Sequence, residues 1–461
     1  MTTTIEKELK FIVESHLQFI YPEHDATLLA KELIDIMGLD AHCEKPLTHE
    51  SAWSEKDAFM ITYGDSIKKD GEAPLKTLAN FYHHRLANVI NSIHILPFFP
   101  YSSDDGFSVI DYMQVNDELG QWDDIENIAQ QCNLMSDMVI NHCSSRSGWF
   151  DNFKQRKHPG KDYFFEARPQ DDLSHVVRPR TSPLLREVET LDGKRHVWCT
   201  FSHDQVDLNF ANPKVLSEIT RIIKFYLDKG IRTFRLDAVA FVWKEIGNSS
   251  INHPKTHEIV RLLRSLIEHH SPQAIIITET NIPNHENLSY FGNANEAHAI
   301  YNFSLPPLVL HALITGTSQH LKRWQMCMPP AQQGTFYFNF LSSHDGIGLR
   351  PAEGLLSEED IGTLVNTMHN FGGRITRRTT ANGQSKPYEI NITYFDALQG
   401  TQYGTDQYHI PRFICAHAIM TSLEGVPALY IHSLLGTHND QKGVEKFKHN
   451  RAINRYKWDF E

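Results

Sequence analysis

The chain has 461 residues, with 44 Lys+Arg against 56 Asp+Glu, and a formal charge of −12 with histidine neutral. Its 41% hydrophobic, 11% aromatic and 22% charged residues place it in the globular rather than the disordered class, with apolar content enough for a sizeable core. The negative balance argues against a non-specific nucleic-acid binder, which needs a basic face to displace counterions.

The N-terminus, MTTTIEKELKFIVESHLQFIYPEHD, carries charges where a signal peptide would hold an apolar block, and no stretch approaches the ~18 apolar residues of a membrane span. A cytoplasmic protein without a membrane partner is expected. Six scattered cysteines (Cys43, Cys132, Cys143, Cys199, Cys327, Cys415) include no Cys-x-x-Cys pair, so reduced thiols are expected rather than a zinc site or a disulfide framework.

Residues 1–54 read as a helical extension: Ile5, Leu9, Ile12, Val13 and Leu17 recur at helical spacing, as do Leu28, Leu29, Leu33, Ile34 and Met37 before Gly38. After Trp53 short β-rich runs alternate with helical ones: strands 59–65, 92–99 and 135–142, with helices from Pro74 and near 123–131. Residues 143–205, polar and without sustained periodicity, look like an inserted small domain. The alternation resumes with a helix that has Asn212 as N-cap, Pro213 at its first position and Gly230 past its end. Further strands at 231–241, 274–280, 299–303, 335–343 and 426–433, separated by helices at 254–270, 306–314, 357–371 and 407–423, bring the count to eight. Eight strands with intervening helices predict a (β/α)8 barrel over 55–142 and 206–461.

In such a barrel, chemistry sits at the C-terminal ends of strands. Strand three ends in Asp137, Asn141 and His142, strand four in Arg235 and Asp237, strand five in Glu279, and strand seven in His344 and Asp345. Three carboxylates from three strands, with an Arg two residues before one of them on the same face, suit glycoside chemistry: one attacks the anomeric carbon and a second protonates the leaving oxygen. Composition and pattern alone leave aldolase, enolase and metal-dependent barrel chemistry open.

The segments DMVINH (137–142), FRLDAVAF (234–241), ITET (277–280) and SSHDG (342–346) resemble, in order and spacing, the four signature regions of the α-amylase-like family, glycoside hydrolase family 13. DQVDLNF (204–210) resembles that family's further region beside its inserted B domain. HILPFFPYSSDDGFSVIDY, SSHDGIGLRP, YEINITYFDAL and GVEKFKHNRAINR are similar to the sucrose phosphorylase subfamily, and within it to the glucosylglycerate phosphorylases. The resemblance implies that Asp237 is the nucleophile, Glu279 the general acid/base and Asp345 the transition-state stabiliser. It further implies that Asp104, Phe107, His142, Arg235, His344 and Arg455 hold the donor glucose, with Phe201 and Gln205 lining the cleft. The implied reaction is double displacement with retention, in which inorganic phosphate instead of water attacks a glucosyl ester, so the two working carboxyls should lie ~5 Å apart.

The small-molecule partners are then a sugar and inorganic phosphate. Positive charge is needed near the acceptor, and Arg178, Arg180 and Arg350 are the candidates. Two departures from the sucrose-specific pattern fall in the acceptor region: Asn281 stands where a His is usual, and Lys386, before Pro387 and Tyr388, where an Asp is usual. They point to an anionic acceptor such as glycerate or a phosphorylated fructose. No cofactor and no metal are expected: Asn141 could ligate the calcium of starch-hydrolysing members, but no carboxylate cluster completes that site. Sucrose or sucrose 6-phosphate phosphorolysis and ordinary α-glucosidase or transglucosylase activity are the rival readings. A non-catalytic binding subunit is a remote one, because all three carboxylates are present. The tail after the eighth strand is short for a final barrel helix and a C-terminal β domain, so uncovered apolar surface and self-association through the incomplete barrel are expected.

Overall fold

The computed structural model describes residues 4–47, 53–180, 182–379 and 385–460. Parts of the N-terminal extension (1–3, 48–52), Thr181 of the inserted segment, residues 380–384 of the excursion after strand seven, and Glu461 lie outside them.

The expected (β/α)8 barrel is found. Eight parallel strands close in chain order: β1 (Phe59–Thr62), β2 (Ser92–Ile95), β3 (Asn133–Val139), β4 (Thr233–Asp237), β5 (Ile275–Thr278), β6 (Ala299–Tyr301), β7 (Phe336–Phe340) and β8 (Val426–Tyr430). Closure is made by β1, which pairs Phe59 with Ser92 on one side and with Ala428 on the other. Every residue of β1, β2, β4 and β7 is buried, as expected of parallel strands covered on both faces. The strands are shorter than the apolar runs that announce them, because the chain leaves the ladder where polar groups begin.

The chain forms two compact units. One comprises 1–52, 96–280 and 290–298, and the other 53–95, 281–289 and 299–461. The first carries β3, β4 and β5 with helices α1 (Thr4–Ile20) and α2 (Ala26–Met37), and it also holds α4 (Trp122–Ala129), α5 (Pro213–Asp228) and α6 (Pro254–His270). α5 begins as its sequence dictates, with the Asn212 side chain accepting from Lys214 N–H and Pro213 at a position that has no hydrogen bond to lose. The N-terminal helices pack on these barrel helices, α1 against α6 and α2 against α5. His16 Nδ1 lies 2.7 Å from Glu258 Oε1, and buried Tyr21 donates to the Phe210 carbonyl at 2.8 Å.

Within the insertion, where periodicity was absent, a short helix (Gly148–Lys154) capped by Ser147 precedes an antiparallel hairpin. The hairpin joins 185–190 to 193–198 in register from Leu185↔Trp198 to Thr190↔Gly193. Its two-residue turn is Leu191-Asp192, and Gly193 opens the second strand with φ 104°.

The second unit carries β1, β2, β6, β7 and β8 with helices α3 (Pro74–Arg85), α7 (Leu305–Thr315), α8 (Gln319–Cys327), α9 (Glu358–Asn370) and α10 (His409–Thr421). The sequence reading has no counterpart of α8, whose one buried residue is Trp324. A single apolar anchor leaves no helical stripe to detect. The polar excursion after α9 is a hairpin of 374–379 and 385–391, joined on its other edge by residues 347–348. After β8 the loop that leads to Arg455 contains the seven-residue helix Gln441–Phe447, capped by Asp440, and Trp458 then pairs in register with Ile67.

Candidate active site

β4 aims alternate side chains at one face, so Arg235 and Asp237 are neighbours there. Arg235 Nη1 donates to Asp237 Oδ1 at 2.6 Å and also to Asp137 of β3, which stands beside Arg235 in register. Its other amino group lies 3.9 Å from Glu279 Oε2, and that same oxygen accepts from Ala238 N–H at 2.9 Å. One buried guanidinium therefore serves the proposed nucleophile and reaches the proposed acid/base, both only 8% exposed. Burial raises the Asp237 carboxyl above its ordinary value, while the Arg235 charge pulls it back and Asp137 adds to the rise. Left-handed φ at Ala238 (48°) turns the chain out of the strand directly after Asp237.

Asp104, Phe107, His142, Phe201 and Gln205 lie in the same unit as Arg235. His142 Nε2 lies 2.9 Å from the Phe107 carbonyl and 3.2 Å from Gln205 Nε2, and its Nδ1 lies 3.1 Å from Asn141 Nδ2. The Arg235 guanidinium carbon sits 5.6 Å from the Phe107 ring centre, and the His142 and Phe201 rings are 5.3 Å apart. Gln205 Nε2 reaches Asp104 Oδ2 at 3.3 Å. Asp104 (φ 55°) and Asp105 (φ 45°) both adopt left-handed backbone, a costly pair of conformations that the surroundings must hold. Asp204 does so, and sequence reasoning missed it. Its carboxylate accepts from Ser102, from Ser103 at 2.5 Å and Ser108 at 2.9 Å, and from Ser145 at 2.8 Å. Burial works to raise this carboxyl, but the serine hydroxyls outweigh it and the net shift is downward.

Asn141 has a different partner from the one considered for it. Its Oδ1 accepts from Lys244 Nζ at 2.7 Å, and that ammonium, 1% exposed, also lies 3.1 Å from Asp207 Oδ2. A cation from the chain itself thus engages the oxygens offered by Asn141 and Asp207. In the inserted segment Arg178 is partly buried, its Nε and Nη2 make no hydrogen bond, and burial lowers its pKa. Arg180 follows, also partly buried.

In the second unit, Asp345 and His344 follow β7. Arg451 Nη1 stands 2.6 Å from Asp345 Oδ1, while its Nε and Nη2 donate to Glu389 at 3.1 and 2.8 Å. Arg455 Nε donates to the His344 carbonyl at 2.9 Å, its Nη2 is 4.0 Å from Asp345, and it lies over the Tyr63 ring at 5.4 Å. Tyr63 meets the His344 ring edge-on at 6.0 Å. Asn454 Nδ2 donates to the carbonyls of Ser343 and Asp345. Gly346 is required here: a Cβ would stand 2.6 Å from Asn391 Nδ2, Glu389 Cγ and the Ile390 carbonyl. Arg451, Glu389, Asn454 and Tyr63 escaped sequence reasoning, for their ion pairs and contacts are long-range.

Among the acceptor candidates, Asn281 packs against Gly348, where a Cβ would approach its Oδ1 to 3.0 Å, and that oxygen is buried with no hydrogen bond. Arg350, two residues on, has an unbonded Nε. Tyr388 is buried and its carbonyl accepts from Leu349 N–H. Lys386 is placed apart from these: its side chain, 41% exposed, pairs with exposed Glu358 at 2.7 Å.

The alpha amylase catalytic-domain family model matches residues 85–346. The chain is 47% identical to a glucosylglycerate phosphorylase of Spirochaeta thermophila, covering 88% of this chain and 69% of the relative. It is 48% identical to one of Escherichia coli, covering 88% and 73%. With one of Allomeiothermus silvanus it shares 43% identity over 99% of this chain and 81% of the relative. Among solved structures, sucrose 6F-phosphate phosphorylase from Thermoanaerobacter thermosaccharolyticum superposes with a TM-score of 0.78 at 26% identity, covering 90% of this chain and 84% of that one.

Proposed function

The chain belongs to the alpha-amylase family, and on that premise we propose that it is a retaining glycoside phosphorylase. Its donor is 2-O-α-glucosyl-D-glycerate, from which it transfers glucose to inorganic phosphate to give α-D-glucose 1-phosphate. The observation that carries the reaction type is the single Arg235 guanidinium in contact with Asp237 and within 4 Å of Glu279. The three glucosylglycerate phosphorylases of 43–48% identity support the substrate.

In the first step Glu279 gives its proton to the glycosidic oxygen as Asp237 attacks C1, so the C1–O bond breaks, a β-glucosyl ester forms and glycerate leaves. The Arg235 charge opposes the rise that burial gives the Asp237 carboxyl and so favours the ionised form that attacks. In the second step Glu279, now a carboxylate, takes the proton of the incoming phosphate, whose oxygen displaces Asp237. Two inversions restore the α configuration. Asp345, held by Arg451, is the carboxylate assigned to the oxocarbenium-like charge, and Asp104, His142, His344 and Arg455 are assigned to the sugar hydroxyls. Phe107 and Phe201 are assigned to the ring, with Gln205 beside them. Unbonded guanidinium nitrogens on Arg178 and Arg350 support these two as the cations for phosphate and the glycerate carboxylate. Exposed Lys386, occupied by Glu358, is the weakest candidate of that set.

Six unpaired cysteines support a cytoplasmic setting, and no helix among the described residues is long and apolar enough to cross a membrane. The test is acceptor use from α-glucose 1-phosphate. Strong product formation with D-glycerate and little with fructose or fructose 6-phosphate is expected, and glucose release independent of phosphate would indicate an α-glucosidase instead.

A further inference from the structure

Three helices of the second unit bring two imidazoles to one carboxylate, on outer helices rather than at strand ends. His311 on α7 places Nε2 3.1 Å from Asp360 Oδ1, and His320 on α8 places Nε2 3.4 Å from Asp360 Oδ2. The two rings stand edge to face, 5.1 Å apart at 84°. One donor atom from each residue lies within 4.8 Å of the other two.

We propose that His311, His320 and Asp360 form a binding site for a first-row divalent metal ion, with Zn2+ the best match and water completing its coordination. Two imidazole nitrogens and a carboxylate oxygen are donors that Zn2+ takes readily. A tetrahedral zinc with bonds of about 2.05 Å has donor atoms about 3.3 Å apart; each imidazole nitrogen already stands at about that distance from one of the two Asp360 oxygens. An ion would replace these direct His–carboxylate contacts, drawing the three donor atoms in from within 4.8 Å of one another.

The trio is fixed from behind and open in front. His311 is 1% exposed, whereas Asp360 and His320 retain about a quarter of their side-chain exposure (25% and 28%), which leaves an entry path. Asp360 is immobilised as the third residue of α9, where its Oδ2 accepts from Ser357 N–H and Ser357 Oγ, an outer-shell support of the kind metal carboxylates use. Burial works to raise this carboxyl, but Ser357 and His311 hold it at about 2, so it is ionised at neutral pH. Burial lowers the His311 pKa against the opposing pull of Asp360, which favours the uncharged ring that a ligand must offer.

Binding through Nε2 requires the His311 N–H that now faces Asp360 to move to Nδ1, which frees the Nε2 lone pair. At His311 this proton arrives on a buried nitrogen that has no hydrogen-bond partner, so the affinity expected is micromolar rather than tighter.

The chain has 27 histidines, so the decisive reading is a difference between proteins. The full chain, stripped with a chelator, is titrated with CoCl2 and followed by its visible d–d absorption, and zinc stoichiometry is measured by equilibrium dialysis against ZnCl2. The expected result is a tetrahedral-type cobalt spectrum, with one zinc per chain lost in His320→Ala and in His320→Gln. The Gln variant retains a polar side chain of similar reach beside Asp360 while removing the imidazole ligand, so it decides the matter should the Ala variant fold poorly. Phosphorolysis by His320→Gln should match that of the unmodified chain. Equal stoichiometry and cobalt spectra in the unmodified chain and His320→Gln, or no zinc bound at 100-fold excess over a micromolar constant, would overturn the proposal and leave a hydrogen-bonded trio only.

Discussion

Glu389 holds Arg451 through two parallel contacts, Oε1 to Nε and Oε2 to Nη2, from a position only 2% exposed. The guanidinium has one remaining amino group, and it faces Asp345 at 2.6 Å. Glu389 thus reaches the candidate catalytic carboxylate through an intermediary, fixing where positive charge stands beside it.

This relay predicts a separation of kcat from KM. Arg451→Lys loses the fork that satisfies both carboxylates and is expected to lower kcat by about 100-fold with KM changed less than about threefold. Glu389→Gln should lower kcat by a smaller factor, since the amide still accepts one bond. Steady-state phosphorolysis checks both. An unchanged kcat in Arg451→Lys would remove Arg451 from any part in positioning Asp345.

Asp237→Asn is expected to reduce turnover by at least about 10⁴-fold, because the amide cannot form the glucosyl ester. The fold should persist, with Arg235 still bonded to Asp137. Arg235→Met, in contrast, should damage both activity and stability, by about 3–5 kcal/mol, as it leaves Asp137 buried without its counter-charge. Chemical denaturation of the two variants alongside activity assays distinguishes the two effects.

Asp204 is predicted to govern the donor loop without touching the sugar. Four serine hydroxyls on 102–108 and 145 converge on its carboxylate, and the strained Asp104–Asp105 turn lies between them. Asp204→Ala should lower kcat/KM by about 10- to 100-fold, mainly through KM, as the loop relaxes. Asp204→Asn, which keeps an acceptor, should recover part of the loss. Identical kinetics for the Ala variant and the unmodified chain would contradict this.

His432 predicts an acid limb in stability. Its side chain is 3% exposed, burial pushes its pKa down to about 3, and Nδ1 lies 3.1 Å from Thr437 Oγ1. Between pH 3 and the unfolded value near 6.5, the unfolded chain binds a proton that the folded chain refuses. The stability from a neutral His432 is therefore complete above pH ~6.5 and falls as pH drops, by up to about 1.4 kcal/mol per unit. His432→Gln should show a shallower loss of denaturant midpoint between pH 7 and pH 5. Equal slopes in the two proteins would rule this residue out as the cause.

The sequence by itself determined the elements whose signals are local. Asn212-Pro213 starts α5 because a side-chain cap and a missing N–H act within one turn. The eight barrel strands announced themselves as short apolar runs with polar ends, and those ends already named Arg235, Asp237, Glu279 and Asp345. What only the tertiary structure decided is which charge stands beside which. The Glu389–Arg451–Asp345 relay joins residues up to 106 positions apart, and Lys244 reaches Asn141 across 103. Lys386, which its place in the chain suggested for the acceptor, is held by Glu358 on an exposed strand end. Local pattern fixes the direction of a side chain within its own element, but an ion pair depends on closure of the fold around it. The energies that matter at this site arise from burial, which no single segment possesses before the barrel has formed.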